Sequence, residues 1–195
     1  MVNKALWVPE ERSRVYWFLS DCFLQAPTEI SSEICQALQL SANNSEPMEL
    51  RKEFTRLFRG IRDGYGPPPP YESLYRPDIF PTDITEAILG YFHSGGFDAA
   101  AICEEPPDFL ATEFRLLSLL AYQEHESSQN GNLMRCQFFS DLQTRFVHDH
   151  LLCWVPDYCQ ILIQESRVDF YSQLANHIEF FLNELQNNTW AAKIS

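Results

Sequence analysis

Carboxylate side chains at two proline-rich places are the residues whose type and spacing could do chemistry. Glu72 follows a run of four prolines. Glu104, Glu105 and Asp108 surround a second proline pair. A carboxylate accepts the planar fork of a guanidinium bidentately, so these side chains could bind arginines of a partner. Near the first turn of a helix, Glu105 and Asp108 could instead stabilise free amides and the positive end of the helix dipole. The sequence leaves both explanations open.

Other kinds of site lack their usual residue patterns. His148 and His150 would lie on different faces of a helix, and no H-E-x-x-H or paired-cysteine spacing occurs, so no metal site is predicted. Phosphate-binding loops of the G-x-x-x-x-G-K-[ST] and G-x-G-x-x-G types are also missing. No Ser-His-Asp set can be nominated from the order of the residues. We therefore predict no catalytic residue, no metal and no cofactor.

Cysteine usage points to a reducing compartment. The six cysteines are scattered without a C-x-x-C pair, at Cys22, Cys35, Cys103, Cys136, Cys153 and Cys159. Each lies in an apolar or helical context, so we predict reduced core thiols of a cytosolic protein.

The charge balance restricts the class of partner. The 195 residues carry a formal net charge of -13, from 27 acidic and 14 basic residues. This charge would repel a phosphate backbone and attract a basic peptide, so general nucleic-acid binding is not expected. A solvated acidic surface that aids solubility explains the same balance. The N-terminus lacks the apolar run of a secretory signal, and no run of about 18 apolar residues occurs. We expect a cytoplasmic protein without stable membrane insertion.

The elements that must position the carboxylates are helices. Apolar residues recur at spacings of three and four, and neither a strand pattern nor an internal repeat occurs, which predicts an all-α fold. Helices are predicted from Val15 to Ala26, Ser31 to Leu40, Pro47 to Arg59, Thr82 or Asp83 to Gly95, Pro106 or Pro107 to Gln123, and Leu133 to Phe146, with two last ones through Tyr158 and Leu162 and through Tyr171 and Leu185. The helix after Pro107 is apolar almost all round and should be the central one. Pro156 is expected to break or kink the chain.

The predicted helices are interrupted by one long loop. Between Gly60 and Pro81 the helical periodicity stops, and prolines hold the chain extended. A loop of this length in a compact chain is usually functional. Tyr71, Leu74 and Tyr75 could contact a partner or simply pack the loop onto the helices. A role of the proline run as a ligand for an aromatic groove is less favoured, because flanking basic residues are missing.

Four motifs follow one another along the chain. The first has two parts, F-T-R-L-F-R-G at residues 54–60 and Y-G-P-P-P-P-Y-E-S-L-Y at residues 65–75. The others are E-P-P-D-F-L at residues 105–110, H-L-L-C-W-V-P at residues 150–156 and D-F-Y-S-Q-L-A at residues 169–175. In this order they resemble the motifs Y-T-R-L-F-x-G with P-P-Y-E-S-V-Y, E-P-x-D-H-L, H-L-x-x-W-x-P and F-Y-x-x-L-A of the TorD/DmsD family of redox-enzyme maturation chaperones. Phe54 stands in place of the usual Tyr and Phe109 in place of the usual His, and the resemblance spans about residues 10 to 185.

The resemblance implies a fold and a partner. The fold would be one all-α bundle of two subdomains, with an N-terminal half of about 1–100, a hinge of about 101–107 and a C-terminal half of about 108–195. It would exist as a monomer or a domain-swapped homodimer. The function would be a cytoplasmic chaperone that binds the twin-arginine signal peptide of a molybdenum-cofactor oxidoreductase of the DMSO/TMAO reductase type, delays its export and assists cofactor insertion. The implied peptide-binding residues are Tyr71, Glu72, Ser73, Leu74, Tyr75, Glu104, Glu105, Pro106, Asp108, Phe109, His150 and Trp154.

Two alternatives stay beside this interpretation. The chain could be an assembly chaperone that binds the mature apo-enzyme and ignores the leader. It could also be a small nucleotide-binding hydrolase at an acidic cleft around Glu105 and Asp108. His150 and Trp154, four residues apart on one helix face, could equally fill the core.

Overall fold

Helices make up most of the described chain, which in the computed structural model comprises residues 8–27, 40, 46–60 and 64–187. They are α1 (Pro9–Leu24), α2 (Pro47–Phe58), α3 (Glu72–Tyr75), α4 (Pro81–Gly95), α5 (Ala99–Ile102), α6 (Leu110–Gln129), α7 (Leu133–Phe146), α8 (Leu152–Glu165) and α9 (Asp169–Asn187). A π-helical turn, Val147–Leu151, joins α7 to α8. No strand occurs within these ranges, so the all-α prediction is confirmed.

Proline and glycine mark several helix ends. Pro9, Pro47 and Pro81 open α1, α2 and α4, where the fixed φ of proline suits a helix and its missing N–H is not needed. α4 ends at Gly95 and is capped by Gly96, whose left-handed φ of 81° allows its N–H to bond back to the last turn. The predicted glycine stop is therefore confirmed. The predicted cap of α4 at Thr82 or Asp83 is wrong, because Phe80 is the N-cap residue and Pro81 takes the first helical position.

The bounds of α6 and the course of the chain at Pro156 differ from the predictions. α6 begins at Leu110 instead of Pro106 or Pro107, and it continues past Gln123 to Gln129. The break expected at Pro156 does not occur, since α8 runs through that residue. The departure from α-helical geometry lies one turn earlier, in the π-helical turn. The predicted helix from Ser31 lies outside the described residues except at its last position.

α6 is the central helix, as predicted. α1 and α7 pack along it, and α9 packs on α8. The core face of α6 is fully buried and consists of Leu110, Ala111, Phe114, Leu116, Leu117, Leu120 and Ala121. The rings of Phe23 and Phe58 lie 4.9 Å apart beside it. Burying a side chain of this size contributes about 1.5–3 kcal/mol, so apolar packing holds the bundle together.

Two buried polar clusters fix helices in register. Arg12 of α1 donates hydrogen bonds to Glu124 of α6 and to Gln143 of α7, and Gln143 Nε2 donates to Glu124 over 2.7 Å. Arg56 of α2 donates to Glu53 over 2.8 and 2.7 Å, and Glu53 also accepts from the backbone N–H of Arg167, between α8 and α9, over 2.7 Å. Removing one partner of such a pair leaves an uncompensated buried charge, at about 3–5 kcal/mol. The packing of α1 on α6 is therefore specified by charge as well as by apolar contact.

The structure differs from one expectation about the cysteines. Cys22, Cys136 and Cys159 are buried thiols, and Cys103 is partly buried. Cys153 is exposed, so the prediction that it is a core thiol is wrong. Its Sγ lies 3.3 Å from the Asp149 carbonyl at the outer side of the π-helical turn. Cys35 lies outside the described residues.

The helices of the bundle bear on two further predictions, membrane insertion and a hinge. Within the described ranges, no helix is long and apolar enough to cross a bilayer. The hinge at about 101–107 stays a prediction. α1, from the predicted first half, packs along α6, from the predicted second half.

Candidate functional site

Two of the motif segments are joined through their backbones. Tyr71, in the proline loop (residues 64–76), forms an isolated antiparallel bridge with Phe109, in the connector (residues 102–109). The N–H of Glu72 donates to the Asp108 carbonyl over 2.8 Å, and the N–H of Leu110 donates to the Pro70 carbonyl over 2.9 Å. The amide of Leu110 opens α6 and has no acceptor within its own helix. The proline loop therefore supplies an acceptor to the start of the central helix.

Asp108 holds the proline loop by its side chain as well. Its carboxylate is buried and accepts a hydrogen bond from the Ser73 hydroxyl over 2.6 Å. The rings of Tyr71 and Phe109 lie 5.0 Å apart. No side chain in the described part of the chain caps the start of α6, whose N-cap residue is Phe109. Asp108 is thus a loop anchor, and the helix-start explanation offers no capping hydrogen bond for it.

Glu72 is a buried anion with two partners. Its side chain is fully buried. Arg76 Nη1 donates to Glu72 Oε1 over 2.5 Å, and His150 Nδ1 lies 2.8 Å from Glu72 Oε2. A carboxylate only accepts, so Nδ1 of His150 must carry the hydrogen. Arg76 also donates to the Asp149 carbonyl over 3.0 Å. These contacts attach α3 to the π-helical turn.

An aromatic contact supports the same attachment. Tyr75 stacks on Trp154 with ring centroids 5.3 Å apart and planes 25° apart. Its hydroxyl donates to the Pro68 carbonyl over 2.6 Å. Burial raises the pKa of Tyr75 well above its ordinary value, so the hydroxyl keeps its hydrogen. At the outer side of the turn, Tyr91 donates to Asp149 over 2.6 Å, and this hydrogen bond lowers the pKa of the Asp149 carboxyl.

Glu113 is a functional candidate that the sequence reasoning missed. It lies in the first turn of α6, is fully buried, and neither of its carboxyl oxygens has a hydrogen-bond partner among the described residues. The indole Nε1 of Trp154 is also without one. Burial, followed by the negative charge of Glu72, raises the pKa of Glu113 well above its usual range. The available signal was a carboxyl among the mainly apolar residues of the first three turns of α6.

A groove opens between α1 and the connector. Its volume is about 460 Å³. The lining residues are Trp17, Ser20, Leu24, Arg59, Ile102, Cys103, Glu104, Glu105, Ala111, Thr112 and Arg115. Volumes of roughly 300–1,000 Å³ are usual for ligand sites. Apolar side chains from α1 and α5 thus face charged side chains of both signs.

Most charged groups of the groove already have partners. Arg59 Nη1 donates to Glu105 over 2.8 Å. Arg115 donates to Asp21 over 2.9 Å, and its guanidinium lies 3.4 Å from the centroid of the Trp17 ring. Glu104 is exposed and has no ion pair with a described residue. Its carboxylate is therefore available to a cation from outside.

The sequence-predicted site residues fall into three groups by exposure. The buried ones are Glu72, Asp108, Phe109, His150 and Trp154. The partly buried ones are Tyr71, Ser73, Tyr75 and Glu105, and the exposed ones are Leu74, Glu104 and Pro106. The structure brings the buried group together as the attachment of the proline loop. The groove residues Trp17, Arg59 and Arg115 were not predicted, because nothing in a single helix shows which face meets the connector.

No cluster of three or more His, Cys, Asp or Glu side chains suited to a metal ion occurs among the described residues. The exposed His148 contacts Asp149 over 3.1 Å, and His150 is hydrogen-bonded to Glu72. The described part of the chain therefore gives no reason to assign a metal ligand.

Comparison with known proteins gives a family and several named relatives. The family model described as nitrate reductase delta subunit matches residues 21–160. The chaperone protein TorD of Aliivibrio salmonicida is 20% identical over 202 aligned positions, which cover 89% of this chain and 92% of the relative. The selenate reductase assembly chaperone protein of Thauera selenatis is 28% identical over 88 residues, 45% of each chain. The chlorate reductase assembly chaperone protein of Ideonella dechloratans is 29% identical over 103 residues, 53% of this chain and 51% of the relative.

Proposed function

Because the chain belongs to the nitrate reductase delta subunit family, we propose that it is a cytoplasmic chaperone that binds the twin-arginine leader of a molybdenum-cofactor oxidoreductase. By holding the leader it delays export and keeps the apo-enzyme open for cofactor insertion. The relatives named for TorD, selenate reductase and chlorate reductase support a reductase as the client. Their names describe chaperones, which agrees with a protein that is not an enzyme.

The observation that carries the proposal is the groove beside the connector. A leader consists of a basic head and a moderately apolar stretch. Trp17, Leu24 and Ile102 offer apolar walls to that stretch, and each leader Leu or Phe buried there would contribute about 1.5–3 kcal/mol. Leu74 in the proline loop and Pro106 in the connector are further exposed apolar residues outside the groove. A bound leader would therefore gain most of its affinity from apolar burial.

The carboxylates differ in how accessible they are to a leader arginine. Glu72 accepts from Arg76 and His150, and Asp108 accepts from Ser73. These groups already have hydrogen-bond donors. Glu104 is the exposed carboxylate at the rim of the groove, so we assign it the first arginine. Glu105 would take the second after exchanging its partner Arg59. Exposed pairs contribute only about 0–1 kcal/mol each, so they serve orientation and specificity.

Calorimetry with leader peptides of candidate client reductases tests this assignment. We expect binding of the Arg-Arg form, weaker binding of the Lys-Lys form, and a loss of about two- to fivefold in affinity for Glu104→Gln, in keeping with an exposed pair. Glu126→Gln, on the far part of α6, is the matched control. Heat of the same size from leader-bearing and leader-free fragments would contradict leader recognition, as would no heat with any leader.

A second candidate is binding of the mature apo-enzyme. It is favoured by an apolar surface at the start of α7, where Leu133 and Met134 are 72% and 84% exposed and Phe138 is 43% exposed. Large exposed apolar side chains so close together are typical of protein contacts. Met134→Ser should weaken capture of the leaderless client and leave leader affinity unchanged. The hydrolase alternative has less support, because the Asp108 carboxylate is buried and accepts from Ser73.

A further inference from the structure

Among the carboxyl groups at the attachment of the proline loop is one, that of Glu113, whose oxygens have no hydrogen-bond partner among the described residues. Glu72 and Glu113 are both fully buried. Glu72 is compensated by Arg76 and His150. The charged groups that act on Glu113 are the carboxylates of Glu72, from α3, and Asp108, from the connector. No cation among the described residues acts on Glu113, and the neighbouring donor from α8 is the indole of Trp154.

This arrangement is stable only while Glu113 is neutral. A second buried negative charge beside Glu72 would be repelled and would have no partner, which buried charges require. A neutral acid has a hydroxyl hydrogen that it can donate toward Glu72, and it keeps an oxygen that can accept from Trp154. The unpartnered oxygens of Glu113 and the unpartnered Nε1 of Trp154 therefore complement each other chemically.

We propose that Glu113 is a positioning residue for the proline loop: as a neutral acid it lets Glu72 hold α3 against α6 and the π-helical turn, and its ionisation releases α3. This rests on the proposed function in so far as the loop contributes to leader binding. Release would separate Tyr75 from Trp154, whose rings stack at 5.3 Å. It would also withdraw Tyr71 from Phe109 of the connector, where the two rings lie 5.0 Å apart. Alkaline conditions would thus lower the affinity for the leader through one residue that does not touch it.

The test compares the wild type with Glu113→Gln, whose amide is neutral at every pH. With the three other tryptophans changed to phenylalanine, the emission of Trp154 in the absence of a peptide reports on the stacking of Tyr75. Between pH 6 and 10 we expect the wild-type emission to change and that of Glu113→Gln to stay constant. Glu126→Gln should behave as the wild type. An equal change in both proteins, or no change in either, would overturn the proposal.

The leader peptide provides the functional arm of the test. Wild-type affinity should fall by up to tenfold per pH unit once Glu113 ionises, whereas Glu113→Gln should bind as the wild type at pH 7 and lose no affinity at higher pH. A tenfold weaker Glu113→Gln at pH 7, with unchanged helical circular dichroism, would also overturn the positioning role. If no leader binds either protein, the proposed function fails, and the fluorescence arm still decides the role of Glu113.

Discussion

Replacing Glu113 by glutamine should change how the stability of the protein depends on pH. In the unfolded chain a glutamate ionises near pH 4.3. In the folded protein, burial and the charge of Glu72 raise the pKa of Glu113 well above that value. Between the two pKa values the folded state binds one more proton than the unfolded state. The free energy of unfolding therefore falls, through this residue, by about 1.4 kcal/mol for each pH unit of increase.

The sign follows from the proton count. The contribution of Glu113 is most favourable below its unfolded pKa, and it declines as the pH rises toward its folded pKa. Glutamine binds no proton in either state, so this slope disappears in the variant. The difference between variant and wild type should grow by about 1.4 kcal/mol per pH unit inside the window. For a chain of this size, that corresponds to about 3–6 °C in Tm per pH unit.

Urea unfolding followed by circular dichroism measures the difference. The series should start near pH 5.5, above the isoelectric point of about 4.7, and proceed to pH 8 in half-unit steps. Glu126→Gln, on the same helix, should follow the wild type. Parallel stability curves for the wild type and Glu113→Gln would show that Glu113 is ionised in the folded protein, and the account of its burial would be refuted. The pH at which the curves become parallel reports the folded pKa.

Three further experiments, on a substitution, on thiol labelling and on salt, have expected outcomes. Arg76→Ala leaves the buried Glu72 with His150 alone and should lower the free energy of unfolding by about 3–5 kcal/mol in urea titrations; a loss below 1 kcal/mol would show that solvent reaches Glu72. Cys153 is exposed whereas Cys159 is buried with a strongly raised pKa, so a thiol reagent should modify Cys153 at least tenfold faster in the native protein, as mass spectrometry of the labelled peptides would show. Added salt should slow leader association more than it speeds release, because the net charge of -13 steers a basic peptide; stopped-flow rates that do not depend on salt would contradict this.

Helical periodicity predicted the elements well where local pattern decides. The glycine stop of α4 and the burial of α6 followed from residues close in sequence. The start of α6 did not, because Leu110 bonds to the carbonyl of Pro70, forty residues earlier. A local pattern cannot show that contact. The additional short helix α3 has the same cause, since its Glu72 N–H bonds to Asp108.

The sequence predicted which residues lie near one another in the candidate site better than it predicted what each of them does. The motif residues do meet, but Glu72, Phe109 and Trp154 are buried and attach the proline loop. Sequence spacing gives no measure of which carboxylate already has a partner, and this decides that Glu104 is accessible while Glu72 is not. Phe109 replaces the histidine of the resembling family, and its ring packs against Tyr71. That position therefore makes an apolar contact in this protein.

The π-helical turn sets the rotational phase of the whole C-terminal part of the bundle. An i to i+5 turn holds one residue more than an α-helical turn, so deleting one residue from Val147–Leu151 would allow a continuous α-helix. The wide turn takes up this extra residue, so the deletion would leave everything after it in nearly the same rotational phase about the helix axis. Trp154 would still face Tyr75, and the apolar face of α8 would still face α9. Deleting one residue from the middle of α8, where about 3.6 residues make a turn, would instead rotate everything after it by about 100°. The deletion at the π-helical turn should therefore be the less damaging of the two.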